Sequence, residues 1–141
     1  MPFTQNTSPT FPFQPRAGRT TITVAETTTA QTVYAAGPNG SKIVGLFAST
    51  TDTSAPNLQV SITNGATQYN AWVVPLAIGQ GTGSATPASQ NMLDPIYAAG
   101  LPVDNDGNPF LYLVESDTLT VNALATLAAG IVTVHCVAAD F

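Results

Sequence analysis

Apolar and polar residues alternate along most of the chain after residue 20, and this period-two pattern predicts β-strands. Residues 58–63 show it clearly, because Leu58, Val60 and Ile62 are separated by polar side chains. No segment of ten or more residues carries the apolar stripe of a helix, and residues 91–99 allow at most one short helical turn. We predict eight strands, at residues 21–24, 31–36, 42–48, 58–62, 68–76, 110–115, 119–123 and 131–138.

Turn residues separate these strands. Asn64 and Gly65 stand between two strand-like segments, and both residue types tolerate the positive φ of a tight hairpin. Gly45 lies inside the third apolar segment, where an isolated glycine indicates a bulge or a close backbone approach. Many short strands with frequent turns predict an all-β fold, an antiparallel β-sandwich with either a jelly-roll or an immunoglobulin-like strand order.

The first nineteen residues differ from the rest of the chain. Their four prolines fix φ and disfavour helix, which predicts an extended arm over residues 1–19 before a single sandwich domain over residues 20–141. Extended segments bind neighbours through alternate side-chain pockets, although such an arm could also pack on its own domain. We expect it to contact other subunits through the following protein-interaction residues: Phe3, Phe11, Phe13, Arg16 and Arg19.

The chain is poor in charge. Only 8% of its 141 residues are charged, whereas a soluble domain typically has about 25%. A surface with so few charges suits contact with other subunits, so the composition indicates an assembly component. With 3 basic against 8 acidic residues and a net charge of −5, the chain lacks the basic cluster that binding to nucleic acid or to an anionic membrane requires.

Candidate catalytic residues are few. His135 is the single histidine, and no G-x-S-x-G segment is present to expose a nucleophile beside it. Its alternation with Thr133 in the last strand predicts a ring that faces solvent or an interface. Cys136 falls on the aliphatic face of the same strand and is expected to be an inert, buried thiol. We therefore expect no enzyme activity and no cofactor.

Residues 104–109 form the sharpest motif, an Asp-Asn-Asp-Gly-Asn-Pro segment. Read as a calcium loop, it would bind the cation through Asp104, Asp106 and Asn108. Pro109 stands where that loop needs a glycine at positive φ, and the flanking segments are strands rather than helices. Asp, Asn and Gly are also ordinary turn residues, so the segment favours a tight turn over a metal site.

Two stretches carry a family resemblance, GPNGSKIVGLFASTTDTSAPNLQVSITNG and the segment from LPVDNDGNPFLYL to the closing Asp140-Phe141 pair. Over residues 20–141 the chain resembles capsid decoration, or cement, proteins encoded among the head genes of tailed bacteriophages. The resemblance implies a β-sandwich, often a homotrimer, on the capsid exterior between capsomers. It also implies an arm that holds neighbouring copies of the major capsid protein. The lone Cys136 allows no intrachain disulfide, which fits a virion protein made in the reducing cytoplasm of the host bacterium.

Two alternatives stay open. One is a head fibre, tail or adsorption protein of the virion, with the loops at residues 79–90 and 104–109 as contact tips. The other is a carbohydrate-binding module, because aromatic faces stack on sugar rings. That module would need an exposed, coplanar aromatic pair drawn from the following residues: Tyr69, Trp72, Tyr97 and Tyr112.

Overall fold

The computed structural model describes residues 14–141, and in that range the chain forms β-strands and no helix. The all-β prediction is therefore confirmed. In chain order the strands are β1 (Gln14–Ile22), β2 (Gln31–Ala35), β3 (Ser41–Thr50), β4 (Asn57–Asn64), β5 (Thr67–Pro75), β6 (Gln90–Asn91), β7 (Leu111–Leu113), β8 (Asp117–Ala123) and β9 (Val132–Asp140). Residues 14–141 contain no helix that is long and apolar enough to cross a membrane.

The strands form two antiparallel sheets that pack face to face. Sheet A has the order β1-β9-β3-β6, and β7 also pairs with β3. The short strands β6 and β7 pair with residues 47–48 and 41–43 of β3, so together they occupy one strand position. Sheet B has the order β2-β8-β4-β5. The two sheets make the predicted β-sandwich.

The strand order decides between the two sandwich types that the sequence left open. β1 pairs with β9, β2 with β8, β3 with β6 and β7, and β4 with β5. These are the pairs formed when one long antiparallel hairpin folds over on itself, which is the jelly-roll order. In an immunoglobulin sandwich the first two strands are neighbours in one sheet, whereas here β1 and β2 lie in different sheets.

The core lies between the sheets and follows the alternation of the strands. In β9, Val132, Val134, Cys136 and Ala138 are buried, while the side chains between them point outward. Leu46 of β3 and Leu119 and Val121 of β8 are likewise almost fully buried. Burial of these apolar side chains is the main force that holds the two sheets together.

Every predicted strand overlaps an observed one, and only the two-residue β6 was missed. The predicted hairpin is confirmed, because Asn64 of β4 pairs with Thr67 of β5. Its turn lies one residue later than predicted, at residues 65–66, so Gly65 has a positive φ of 61° whereas Asn64 belongs to the strand. The register of β3 shifts between Ile43 and Gly45, which is the predicted bulge. At residues 91–99 there is a turn, in which the N–H of Ala98 donates to the carbonyl of Asp94, but no helix.

Strand β1 begins six residues before the predicted domain boundary. Residues 14–19 pair with β9, so this part of the predicted arm belongs to sheet A. A Cβ atom on Gly18 would lie 2.1 Å from the carbonyl oxygen of Val33 in β2. Glycine is thus required where the edges of the two sheets meet. Residues 1–13, with Phe3, Phe11 and Phe13, lie outside the described residues.

Candidate functional site

The outer face of sheet A exposes a group of apolar side chains. Phe47, Val137 and Val44 are 37%, 45% and 48% exposed, and they lie on the two central strands, β3 and β9. The same face continues onto β1 through Ala17, which pairs with Val137. Contiguous exposed apolar groups of this kind mark surfaces that bind other proteins.

An aromatic stack lies at the centre of this face. The rings of Phe47 and His135 are 5.0 Å apart with an interplanar angle of 16°. His135 pairs with Phe47 on one side and with Arg19 of β1 on the other. The half-buried histidine therefore points outward, as its alternation with Thr133 predicted. The stack gives the face a flat, rigid centre.

The outer face of sheet B is different in chemistry. Apart from the exposed Val73 of β5, it presents mainly hydroxyls and amides that bond to one another across the strands. Ser61 accepts from the Gln68 amide and donates to the Asn70 carbonyl oxygen, both at 3.1 Å. Thr63 and Thr120 lie within 3.4 Å of each other in the same layer. This polar, uncharged network satisfies its own hydrogen bonds.

The three basic residues of the chain all lie in sheet A. Arg19 and Lys42 stand on its outer face, where Lys42 lies 4.2 Å from the centre of the Phe110 ring. No acidic residue occupies an outward position on β1, β3 or β9. Arg16 points to the other side of β1 and bonds to Asp140. The outer face of sheet A is thus apolar with two positive charges.

Asp140 connects the two sheets at one end of the sandwich. Its carboxylate accepts hydrogen bonds from Ser41 Oγ at 2.6 Å, from Arg16 Nε at 3.1 Å and from the hydroxyl of Tyr34 in sheet B. Burial alone would raise the pKa of Asp140, but these hydrogen bonds outweigh it and lower the pKa. Burial and the bond to Asp140 raise the pKa of Tyr34.

Asp52 is the buried carboxylate at the opposite end. Its Oδ1 accepts from the N–H groups of Ala129 and Gly130, each at 2.9 Å, and its Oδ2 accepts from the N–H of Ser54 at 3.1 Å and from the Ser54 hydroxyl. Burial acts to raise the pKa of Asp52, yet these donors overcome it and lower the pKa. Asp52 therefore joins two loops.

Neither aspartate was predicted from the sequence. For Asp140 a signal existed, because the alternation of β9 places it on the same face as Cys136 and Ala138. For Asp52 the sequence offers no comparable signal, since its partners at residues 129 and 130 are far away along the chain.

An open apolar cleft of about 490 Å³ lies at the Asp140 end. Its walls are the turn at residues 38–40, the segment at residues 112–115 and Phe141. Tyr112 and Phe141 form its aromatic wall, with ring centres 5.8 Å apart. The volume is in the range of clefts that hold small ligands or side chains.

Residues 104–109 form the tight turn that the sequence favoured over a calcium loop, and its side chains bond to the turn's own backbone. Asp104 Oδ1 accepts from the N–H groups of Asp106 and Asn108, at 2.9 and 2.8 Å, and Gly107 has a φ of 84°. The N–H of Asn108 lowers the pKa of Asp104. No group of three His, Cys, Asp or Glu side chains within residues 14–141 is arranged to hold a metal ion. Cation binding by Asp104, Asp106 and Asn108 stays a prediction.

The remaining candidates are placed as follows. Cys136 is buried as predicted, and burial raises the pKa of its thiol to about 12. Trp72 packs against the core and donates its indole N–H to the Met92 carbonyl at 2.9 Å. Tyr97 also packs against the core, and Tyr69 is exposed on β5. The four aromatic residues proposed for sugar binding form no ring pair with one another in residues 14–141.

No protein-family model matches the chain, and no curated protein matches it.

Proposed function

We propose that this chain is a non-catalytic structural protein of a tailed-bacteriophage particle. It decorates the exterior of the capsid and stabilises the shell by binding between subunits of the major capsid protein. The observation that carries the proposal is the outer face of sheet A, with its exposed Phe47, Val44 and Val137.

The chemistry of that face suits binding to protein. Apolar side chains lose few favourable interactions with water when an interface buries them, whereas an unpaired charge at the centre of an interface is costly to desolvate. The positive charges of Arg19 and Lys42 favour a partner surface with acidic residues around an apolar centre. A low-charge β-sandwich with such a face also fits the resemblance to decoration proteins.

The proposal includes a homotrimer. Several weak contacts made at once by linked copies bind far more tightly than one contact alone. A trimer seated between capsomers would hold several capsid subunits together, and binding to the assembled shell would stabilise it by mass action. The mass of the purified protein in solution measures this part of the proposal directly.

The test adds purified protein to capsids that lack it and measures binding by co-sedimentation. We expect the Phe47→Ser/Val137→Ser variant to bind at least about tenfold more weakly than the wild type, as expected when a central aromatic contact is lost. The matched control is Tyr69→Ser/Val73→Ser, which removes an exposed aromatic and an exposed valine from sheet B. It should bind like the wild type, and thermal melts confirm that both variants fold.

Wild-type protein that does not bind capsids would refute the proposed function. Imaging that places it on the tail or on fibres would assign it to another part of the virion. Equal binding by the two double variants would show that sheet A is not the contact surface.

A further inference from the structure

The cleft at the Asp140 end has no occupant among residues 14–141. Its wall is apolar and aromatic, through Tyr112, Leu113 and Phe141, and the one charged residue that lines it is Glu115. Aromatic-lined grooves of this kind bind proline-rich segments, which lose little conformational entropy because they are already extended.

This chain contains a segment of matching chemistry. Residues 1–13 have the sequence MPFTQNTSPTFPF, with three phenylalanines and three prolines and no acidic side chain that Glu115 would repel. We propose that this leading segment of one copy docks in the cleft of a neighbouring copy, with Phe11 as the side chain that enters it. The inference deepens the proposed self-association by naming the site and its occupant.

The geometry of β1 favours docking of the leading segment in the cleft of a neighbouring copy over docking in the cleft of its own copy. Gln14 pairs with Asp140, so the chain enters sheet A at the end that carries the cleft. Its far wall, Tyr112 and Leu113 of β7, is three strand positions from β1, beyond β9 and β3, which is about 14 Å across the sheet. Phe13 adjoins β1 and its backbone cannot cover that distance. Phe11 could cover about 10 Å only by turning sideways at once.

The sequence opposes that sideways turn. Phe11 precedes Pro12, and a residue before proline prefers an extended backbone. Pro15 also keeps the start of β1 extended. A segment that continues the direction of β1 leaves its own domain and meets the next copy. Such head-to-tail contacts close into a ring when the rotation between copies is right, as in a trimer.

Disulfide trapping in the full-length chain tests the proposal. Thr10→Cys places a thiol beside Phe11, and Val114→Cys places one on the exposed wall of the cleft. Native Cys136 does not compete, since its thiol is buried and its pKa is raised to about 12. The control pair is Thr10→Cys with Ala125→Cys, because residue 125 is exposed at the opposite end of the sandwich.

We expect the cleft pair to form disulfides between chains at least about tenfold faster than the control pair, with covalent dimers and trimers on a non-reducing gel. Adding Phe11→Ala to the cleft pair should reduce its rate to that of the control. Circular dichroism verifies that each variant is folded.

Three results would overturn the inference: equal rates for both pairs, disulfides formed only within one chain, or no effect of Phe11→Ala. The experiment uses the purified protein without capsids. Its outcome is therefore separate from that of the capsid-binding test.

Discussion

The two ends of the sandwich are each held by a buried aspartate, and they are held differently. At one end, Asp52 accepts mainly from backbone N–H groups, those of Ser54, Ala129 and Gly130, whose positions the chain path determines, and also from the Ser54 hydroxyl. At the other end, Asp140 accepts from the hydroxyls of Tyr34 and Ser41 and from the half-exposed Arg16.

The two ends of the sandwich therefore differ in how readily their hydrogen-bond donors can change partner. Backbone N–H groups cannot rotate away to find another acceptor, so the loops at the Asp52 end have one arrangement. Hydroxyls can reorient, and a half-exposed guanidinium can bond to water instead. The adaptable end is also the one with the cleft and the start of β1. Three predictions test whether the Asp52 end is more tightly constrained than the Asp140 end.

The largest effect is expected from Gly130→Ala. A Cβ atom at residue 130 would lie 2.4 Å from the Asp52 backbone nitrogen, and neither backbone can move without breaking the hydrogen bonds of the carboxylate. We expect a loss of more than about 3 kcal/mol in the free energy of unfolding, measured with urea.

The control for this substitution is Gly65→Ala in the β4–β5 turn. A Cβ atom there meets nothing within 4 Å, although the φ of 61° disfavours alanine. The control should therefore lose only about 1 kcal/mol. Equal losses would mean that the tight contact with Asp52 does not constrain the loop.

A smaller difference should separate Asp52→Ala from Asp140→Ala. Removing Asp52 leaves buried N–H groups without an acceptor, which should cost about 3 kcal/mol of unfolding free energy. Removing Asp140 should cost less, about 2 kcal/mol, because the half-exposed Arg16 can bond to water and only the buried Ser41 and Tyr34 hydroxyls lose their acceptor. Urea denaturation measures both variants, and a larger loss for Asp140→Ala would reverse the comparison.

The smallest expected effect is a loss of folding stability at acidic pH. The pKa of both aspartates is lowered in the folded protein, so each stabilises the fold above its unfolded pKa of about 3.9. That stabilisation is lost as the pH falls through the folded pKa. Thermal melts from pH 6 down to pH 2 should therefore show a decline that Asp52→Asn makes shallower. An unchanged decline would exclude Asp52 as a source of acid sensitivity.

Much of the fold could be predicted because strands leave a local signal. The alternation in residues 58–63 and the Asn-Gly pair that follows it identify β4 and its hairpin without reference to any distant residue, although the turn itself is at residues 65–66. β6 was missed because two residues are too few to show an alternation of apolar and polar positions. The start of β1 was missed because its proline and glycine, Pro15 and Gly18, resemble a linker, and only pairing with β9 makes it a strand.

The candidate site was harder to predict. The outward positions of His135 and Phe47 follow from alternation, but their stacking requires the register between β3 and β9. Arg16 and Arg19 were grouped as one interaction site, yet they lie on opposite sides of β1, and Arg16 bonds within the domain. Side chains three residues apart on a strand point to opposite faces of the sheet.

That the chain is an all-β, charge-poor sandwich follows from its residues alone, since residue type and period-two alternation are local properties that every strand carries in its own residues. The jelly-roll order, the bonds of Asp52 and Asp140, and the cleft between residues 38–40, 112–115 and 141 arise only when the strands have paired and packed. These depend on which strands pair and in which register. Strand pairing depends on the burial of all the strands together, so it cannot be derived from any single segment.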